Sequence, residues 1–163
     1  MRAGQDRYPR PAQAPAGPAP APAVAALVEP IAATSSSAVV SLTHRLVTAD
    51  GTINTSVGSY TDCTGTAPID SDRADLDPCF PGRSYFVGHN PGVFAPLMRM
   101  TPGSLISWYD AKGTEHRLRI VYVRDFLRNS AVLQPSSPDV VAQFQTCVTL
   151  DGKLDRILDA VDA

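Results

Sequence analysis

Apolar and polar positions beyond residue 38 alternate in short runs with the period of two that β-strands require. The longest run spans residues 116–126, where Leu118, Ile120 and Tyr122 fall on one face. A helical turn is predicted at residues 93–98, and the sequence Asp110-Ala111-Lys112-Gly113 predicts a hairpin turn. Other strands are predicted at residues 39–42, 45–47, 53–60, 84–87, 104–109, 140–146 and 154–158. Seven or eight short strands with few helices predict an all-β protein, either a closed antiparallel barrel or a sandwich.

The first 37 residues differ sharply from the rest of the chain. Fourteen of the twenty residues 11–30 are alanine or proline. Because proline lacks a backbone donor and fixes φ, such a tract favours an extended spacer without a core. We therefore predict a linker over residues 1–37 and one domain over residues 38–163.

Charge and composition exclude several classes of function. The net charge is −2, and the 14 basic residues are scattered, which gives no electrostatic footprint for a nucleic acid. The longest apolar stretch, residues 23–33, is too short to span a bilayer and contains Glu29 and Pro30. The three histidines lack metal-ligand spacing, so no metal and no cofactor are predicted. Four carboxylates lie close together and predict a solvated loop: Asp70, Asp72, Asp75 and Asp77.

The chain has three cysteines, an odd number. Cys63 and Cys79 bracket the acidic loop, and a disulfide between them would stabilise the fold by about 3 kcal/mol through chain entropy. Such a bond would indicate an oxidising, extracytoplasmic location and would leave Cys147 as a free thiol that needs a functional explanation. The alternative is that all three cysteines are reduced and buried.

Cys147 follows His89 and precedes Arg156, and both basic residues belong to β-type segments or their ends. A thiol is a useful nucleophile as its thiolate, and a nearby imidazolium and guanidinium favour that form. The order histidine, cysteine, arginine therefore points to nucleophilic catalysis by Cys147.

These segments resemble the sortases. The stretch from Pro81-Gly82 through Tyr85-Phe86-Val87-Gly88-His89 is similar to a sortase strand that ends in Gly-His, and Thr146-Cys147 matches the end of the family motif Thr-Leu-x-Thr-Cys. Arg156 lies at the expected distance beyond the cysteine. The segments Phe94-Ala95-Pro96-Leu97 and Thr101-Pro102-Gly103-Ser104 also resemble the family, and the likeness covers roughly residues 38–160.

The resemblance implies a closed eight-stranded β-barrel with one or two short helical turns and a cysteine transpeptidase activity. Cys147 would attack a peptide carbonyl, His89 would protonate the leaving amine, and Arg156 would hold the substrate or stabilise the oxyanion. Thr146, Asn90 and Phe94 are predicted to contribute to substrate binding.

The partners implied by the resemblance are the sorting signal of a surface protein and an amine nucleophile, such as a cell-wall peptide or a pilin lysine. We expect a monomer located at the cell surface or secreted. The chain departs from the family at Gln143 and Phe144, which stand where the motif has Thr-Leu, and at Ser104, where many members have Asp. These departures leave a second hypothesis open, in which the barrel is catalytically inactive and binds peptide or cell-wall polymer.

Overall fold

The computed structural model describes residues 42–128 and 134–163. In this part of the chain, eight strands close into a β-barrel, and a short 3₁₀ helix spans Ala95–Arg99. The predicted eight-stranded barrel is therefore confirmed. The strands are β1 (Arg45–Val47), β2 (Asn54–Ser59), β3 (Ala74–Asp77), β4 (Ser84–Val87), β5 (Leu105–Tyr109), β6 (Glu115–Leu127), β7 (Ala142–Cys147) and β8 (Leu154–Asp162).

Around the barrel the strands follow the order β1-β2-β3-β4-β7-β8-β6-β5, and β5 pairs with β1 to close the sheet. Two neighbouring pairs, β2 with β3 and β4 with β7, are parallel. The expectation of a purely antiparallel sheet was therefore wrong. Parallel neighbours need long connections, and the segments between β2 and β3 and between β4 and β7 supply them.

The barrel interior is filled by side chains from alternate positions of the strands. Phe86 stacks on Phe144 with ring centroids 5.1 Å apart, and Trp108 and Phe94 meet this pair edge-on. Phe144, which stands where the motif has leucine, is thus part of the barrel core. The other fully or almost fully buried members of the core are Leu46, Ile53, Val57, Ala74, Leu97, Ile106, Leu118, Ile120, Ala142, Leu158 and Ala160.

A second apolar cluster covers the outer face of β4, β7 and β8. Tyr60, Tyr85, Val87 and Ile157 are buried there beneath partly buried neighbours. Three of these neighbours come from the segment between β2 and β4, and one comes from β6: Ala67, Ile69, Phe80 and Phe126. The disulfide-containing segment is thus a structural cover for this side of the barrel.

Gln143 lies on the same outer face and is fully buried. Its amide nitrogen donates to Asp159 Oδ1 at 2.7 Å, and its amide oxygen accepts a hydrogen bond from Arg83. A buried amide with both ends paired stabilises the packing of β7 against β8. This pairing gives a structural reason for glutamine where the family motif has threonine.

The predicted solvated acidic loop is wrong in its second half. Residues 74–77 form β3, and the side chains of Asp75 and Asp77 are buried. Asp75 accepts a hydrogen bond from Arg73 Nε at 3.0 Å, and Asp77 accepts one from the Cys79 amide at 2.8 Å. These partners make the buried carboxylates tolerable inside a strand whose polarity conceals it in the sequence.

The other predicted elements largely occur where the pattern places them. The hairpin turn at 110–113 joins β5 to β6, with Asp110 Oδ1 accepting from the amides of Lys112 and Thr114. Gly113 adopts a φ of 78°, which favours glycine. The predicted strand at 39–42 and the boundary at residue 38 lie outside the described residues, apart from Leu42, which is not in a strand. Within the described ranges, no helix has the length and apolarity needed to cross a bilayer.

Candidate active site

The thiol of Cys147 lies at the end of β7 and is half-buried. Cys63 and Cys79 form a disulfide, as predicted, and Cys147 is free. In the antiparallel pair of β7 and β8, Cys147 lies opposite Asp155, whereas Thr146 lies opposite Arg156. Directly opposed residues share a face of a sheet, so Cys147 and Asp155 project from the outer face.

A guanidinium contacts the thiol, and it belongs to Arg128, the residue that follows β6. Arg128 Nη2 lies 3.4 Å from Cys147 Sγ. The same guanidinium grips Asp155 at both oxygens, with Nε 3.0 Å from Oδ2 and Nη2 3.1 Å from Oδ1. Gln145 Nε2 donates to Asp155 Oδ2 at 2.9 Å. The fully buried carboxylate of Asp155 is therefore held on two sides.

These neighbours act on the thiol in opposite directions. Burial raises the pKa of the Cys147 thiol, and the charge of Asp155 raises it further, while Arg128 lowers it. The Asp155 carboxylate also raises the pKa of Arg128, so that guanidinium stays charged at every relevant pH. Burial and Asp155 therefore favour the neutral thiol, and Arg128 favours its ionisation.

Strand register places His89 level with Cys147 along the neighbouring strand. β4 and β7 run parallel with Val87 opposite Gln145, and His89 and Cys147 each lie two residues farther along. Asn90, the next residue, donates its side-chain amide to the Cys147 carbonyl oxygen at 2.9 Å. The imidazole Nε2 of His89 lies 2.8 Å from the Ile69 carbonyl oxygen, in the disulfide-linked segment. His89 is thus held at the edge of the site by a loop that the disulfide anchors.

Arg156 projects to the other side of the sheet. Its Nε and Nη2 bind Asp125 at 2.7 and 3.0 Å, and its Nη1 donates to the Met98 carbonyl oxygen at 2.8 Å. The ion pair with Asp125 raises the pKa of Arg156. The structure brings His89 and Cys147 to neighbouring strand ends, but it gives the thiol contact to Arg128 and not to Arg156.

The three predicted substrate-binding residues have different surroundings. Phe94 is fully buried in the barrel core, and Thr146 is almost fully buried with its hydroxyl donating to the Gly88 carbonyl oxygen at 2.8 Å. Neither side chain presents a surface to a peptide, and both fix the ends of the strands that form the site. Asn90 is half-buried beside Cys147 and is the member of the three that faces the site.

Sequence reasoning missed Arg128 and Asp155. Arg128 is 19 residues before Cys147, and its closeness arises because β6 and β7 both pair with β8. Asp155 could have been found from the alternation of β8 once its register with β7 was known.

The barrel is similar to solved structures of sortases. A lid mutant of sortase A from Corynebacterium diphtheriae has a TM-score of 0.59 and 13% identity, and the match covers 73% of this chain and 68% of that one. Sortase C-1 from Actinomyces oris gives 0.58 and 11%, with 73% and 70% covered. A sortase D5 transpeptidase from Clostridium perfringens gives 0.54 and 15%, with 73% and 77% covered.

The chain therefore has the sortase fold, as the sequence resemblance implied. At these identities the likeness shows the fold alone. No protein-family model matches the chain, and no curated protein matches it in sequence.

Proposed function

We propose that this protein is a sortase-like cysteine transpeptidase that cleaves a sorting-type peptide through a thioester on Cys147. The observation that carries the proposal is the free, half-buried thiol at the end of β7, with a guanidinium 3.4 Å from its sulfur. A cation beside a thiol favours the thiolate, which is the nucleophilic form. The sortase fold supports this interpretation because it supplies the strand that ends at Cys147.

The chemistry assigned to the site is acyl transfer in two steps. Cys147 passes its thiol proton to His89, its Sγ attacks the peptide carbonyl carbon, and His89 gives that proton to the leaving amine as the carbon–nitrogen bond breaks. A second amine then attacks the thioester and gives a proton to His89, which returns it to the sulfur as the carbon–sulfur bond breaks and Cys147 is released. His89 lies two residues beyond β4 and level with Cys147 on the parallel strand β7, which supports the role of proton donor.

The proposed substrates follow from the same likeness. The peptide is the sorting signal of a surface protein, and the acceptor is an amine such as a cell-wall peptide or a pilin lysine. An exported chain at the cell surface is consistent with the Cys63–Cys79 disulfide, because such bonds persist in oxidising compartments. We propose that the linker predicted over residues 1–37 acts as a spacer.

A second function, peptide or cell-wall binding without catalysis, is favoured by one feature of the site. The Nε2 atom of His89 is bound by the Ile69 carbonyl oxygen, and burial raises the pKa of the Cys147 thiol. A site in this state has an engaged imidazole and a protonated thiol.

The test is an amine-transfer assay with the full chain and a library of sorting-type peptides. Each peptide is incubated with the protein and a small amine such as hydroxylamine, and transfer products are detected by mass spectrometry. We expect products with the wild type and none with Cys147→Ala. Products from neither protein, together with saturable peptide binding by both, would favour the binding module.

A further inference from the structure

We propose that Arg128, and not Arg156, is the catalytic guanidinium of this chain, and that Asp155 is the residue that positions it. The inference rests on the proposed function, since it assigns residues to that acyl transfer. The assignment of Arg128 and Asp155 is based on contacts on the outer face of β6, β7 and β8. The order histidine, cysteine, arginine along the chain does not reveal these contacts.

The first argument is strand register. Cys147 lies opposite Asp155, and Arg156 lies opposite Thr146, whose side chain is buried and binds the Gly88 carbonyl oxygen. Side chains alternate between the two faces of a strand, so Arg156 starts from the face that does not hold the thiol. A shift of one residue in pairing would be needed to bring Arg156 to the face that holds Cys147, and it would turn Leu158 and Ala160 out of the barrel core.

The second argument is that Arg156 is already committed. Three of its donors are used by Asp125 and by the Met98 carbonyl oxygen, at 2.7 to 3.0 Å. Moving this guanidinium to the thiol would break the bidentate ion pair with Asp125 and the hydrogen bond to the Met98 carbonyl oxygen. Arg156 is instead suited to fixing the end of the 3₁₀ helix against β6 and β8.

The third argument is that backbone and side-chain contacts fix the position of the Arg128 guanidinium. The Arg128 amide donates to the Lys153 carbonyl oxygen at 3.0 Å, which fixes the end of β6 beside β8. Asp155 then binds Nε and Nη2 of the guanidinium, and Gln145 supports Asp155. Gly152 lies beside the guanidinium, and a Cβ there would make an ordinary contact with Nη1 at 3.4 Å. An arginine locked in this way loses little rotamer freedom when it binds a charged partner.

The arrangement fits both charged species of the reaction. Nη2 of Arg128 donates to the Cys147 thiolate before attack. When the carbon–sulfur bond forms, the carbonyl π electrons move to the oxygen, and the sulfur no longer carries the charge. The same guanidinium can then donate to the oxyanion until the carbon–nitrogen bond breaks and the amine takes its proton from His89. Half of the Arg128 side chain is exposed, so a peptide can reach it.

The titratable groups around the thiol come from three elements. Arg128 follows β6 and favours the thiolate, Asp155 on β8 opposes it, and His89 lies after β4. The experiment must therefore separate the charge of Asp155 from its hold on Arg128. Iodoacetamide alkylation of Cys147, followed by intact mass as a function of pH, measures the thiolate without any substrate.

We expect Arg128→Gln to lower the alkylation rate at pH 7 about tenfold and to move the pH midpoint up by about one unit, as for loss of a neighbouring opposite charge. The alkylation rate of Arg128→Lys should fall between those of the wild type and Arg128→Gln, because lysine keeps the positive charge but lacks the forked pair of donors. Arg156→Gln should match Arg117→Gln, a control at an exposed position of β6. A shift in Arg156→Gln with none in either Arg128 variant would overturn the proposal.

The role of Asp155 has its own signature. With Arg128 present, Asp155→Asn should slow alkylation, because the guanidinium loses its bidentate anchor. In the Arg128→Gln background the same substitution should speed alkylation, because it now removes a charge that opposes the thiolate. If Asp155→Asn changes the alkylation rate in the same direction in both backgrounds, Asp155 does not act through Arg128. Urea unfolding of each variant confirms that the fold is retained.

These outcomes are separable from those of the proposed function. Alkylation needs no peptide, so the Arg128 assignment is tested even if no peptide is transferred. If transfer is found, its rate should fall in Arg128→Gln at least as much as the alkylation rate. Unchanged transfer in that variant would overturn the assignment while leaving Cys147 acyl transfer intact.

Discussion

Removal of the Cys63–Cys79 disulfide is expected to cost about 3 kcal/mol of folding free energy. The two cysteines are 16 residues apart, and the chain-entropy relation for a loop of that length gives this figure at 25 °C. The perturbation is the double variant Cys63→Ser/Cys79→Ser. Because β3 lies between the cysteines and pairs with both β2 and β4, the native segment keeps its place without the bond. The loss should therefore come from the unfolded chain.

Local hydrogen bonds also hold the first half of this segment. Asp62 accepts from the amides and hydroxyls of Thr64 and Thr66 and from the Ala67 amide at 2.7 Å, and these bonds hold its pKa well below the usual range. Tyr60 donates its hydroxyl to the Ala67 carbonyl oxygen at 3.0 Å. These contacts do not depend on the disulfide, so the double variant should fold.

The assay is equilibrium urea unfolding followed by the fluorescence of Trp108, the single tryptophan, which is buried in β5. The double variant should show a free energy of unfolding about 3 kcal/mol below that of the wild type. Wild type in reductant should show the same decrease, and reductant should leave the variant unchanged. A decrease below about 1 kcal/mol in both cases would refute the reasoning that the bond constrains the unfolded chain.

Three further predictions concern the core and the site. Phe144→Ala removes a fully buried ring that stacks on Phe86 and should lower the free energy of unfolding by about 3–5 kcal/mol in the same urea assay. Gly88→Ala places a Cβ 2.7 Å from the Phe94 ring and should cost about 1–3 kcal/mol, visible as a lower melting temperature. Burial and Asp155 raise the pKa of the Cys147 thiol, so its alkylation rate should keep rising at alkaline pH after that of the urea-unfolded chain has levelled off. A plateau at lower pH in the folded protein would contradict this direction. A raised pKa favours the neutral thiol, so this contribution to stability is present below the unfolded pKa and is lost as pH rises through the folded one.

Alternation along the chain was sufficient to predict most of the barrel. The strand observed at Glu115–Leu127 was predicted within a residue at each end because Leu118 and Ile120 mark its inner face. β3 was missed because three of its four residues are Asp75, Leu76 and Asp77, which the sequence pattern cannot distinguish from a solvated loop. Its burial depends on Arg73 and the Cys79 amide as partners, which are visible only in three dimensions.

Some residues of the candidate site were predicted from the sequence, and others were not. His89 and Cys147 were predicted from their motifs, and both lie at strand ends as those motifs imply. Arg156 was predicted from its distance along the chain. The face of the sheet on which a side chain lies is set by strand register, and neighbouring residues of a strand lie on opposite faces. Arg128 reaches the thiol through the order β7-β8-β6 around the barrel. The alternation of apolar and polar residues in a single sequence does not specify the order of strands around the barrel.

The claim that Cys147 forms a thioester is tested most directly by trapping the acyl-enzyme. The full chain is mixed with a pool of sorting-type peptides without an added amine, quenched in acid and weighed intact. The account predicts an adduct with the mass of the peptide's N-terminal fragment, located on Cys147, removed by neutral hydroxylamine and missing in Cys147→Ala. Peptide cleavage that persists in Cys147→Ala, or an adduct that resists hydroxylamine, would contradict it.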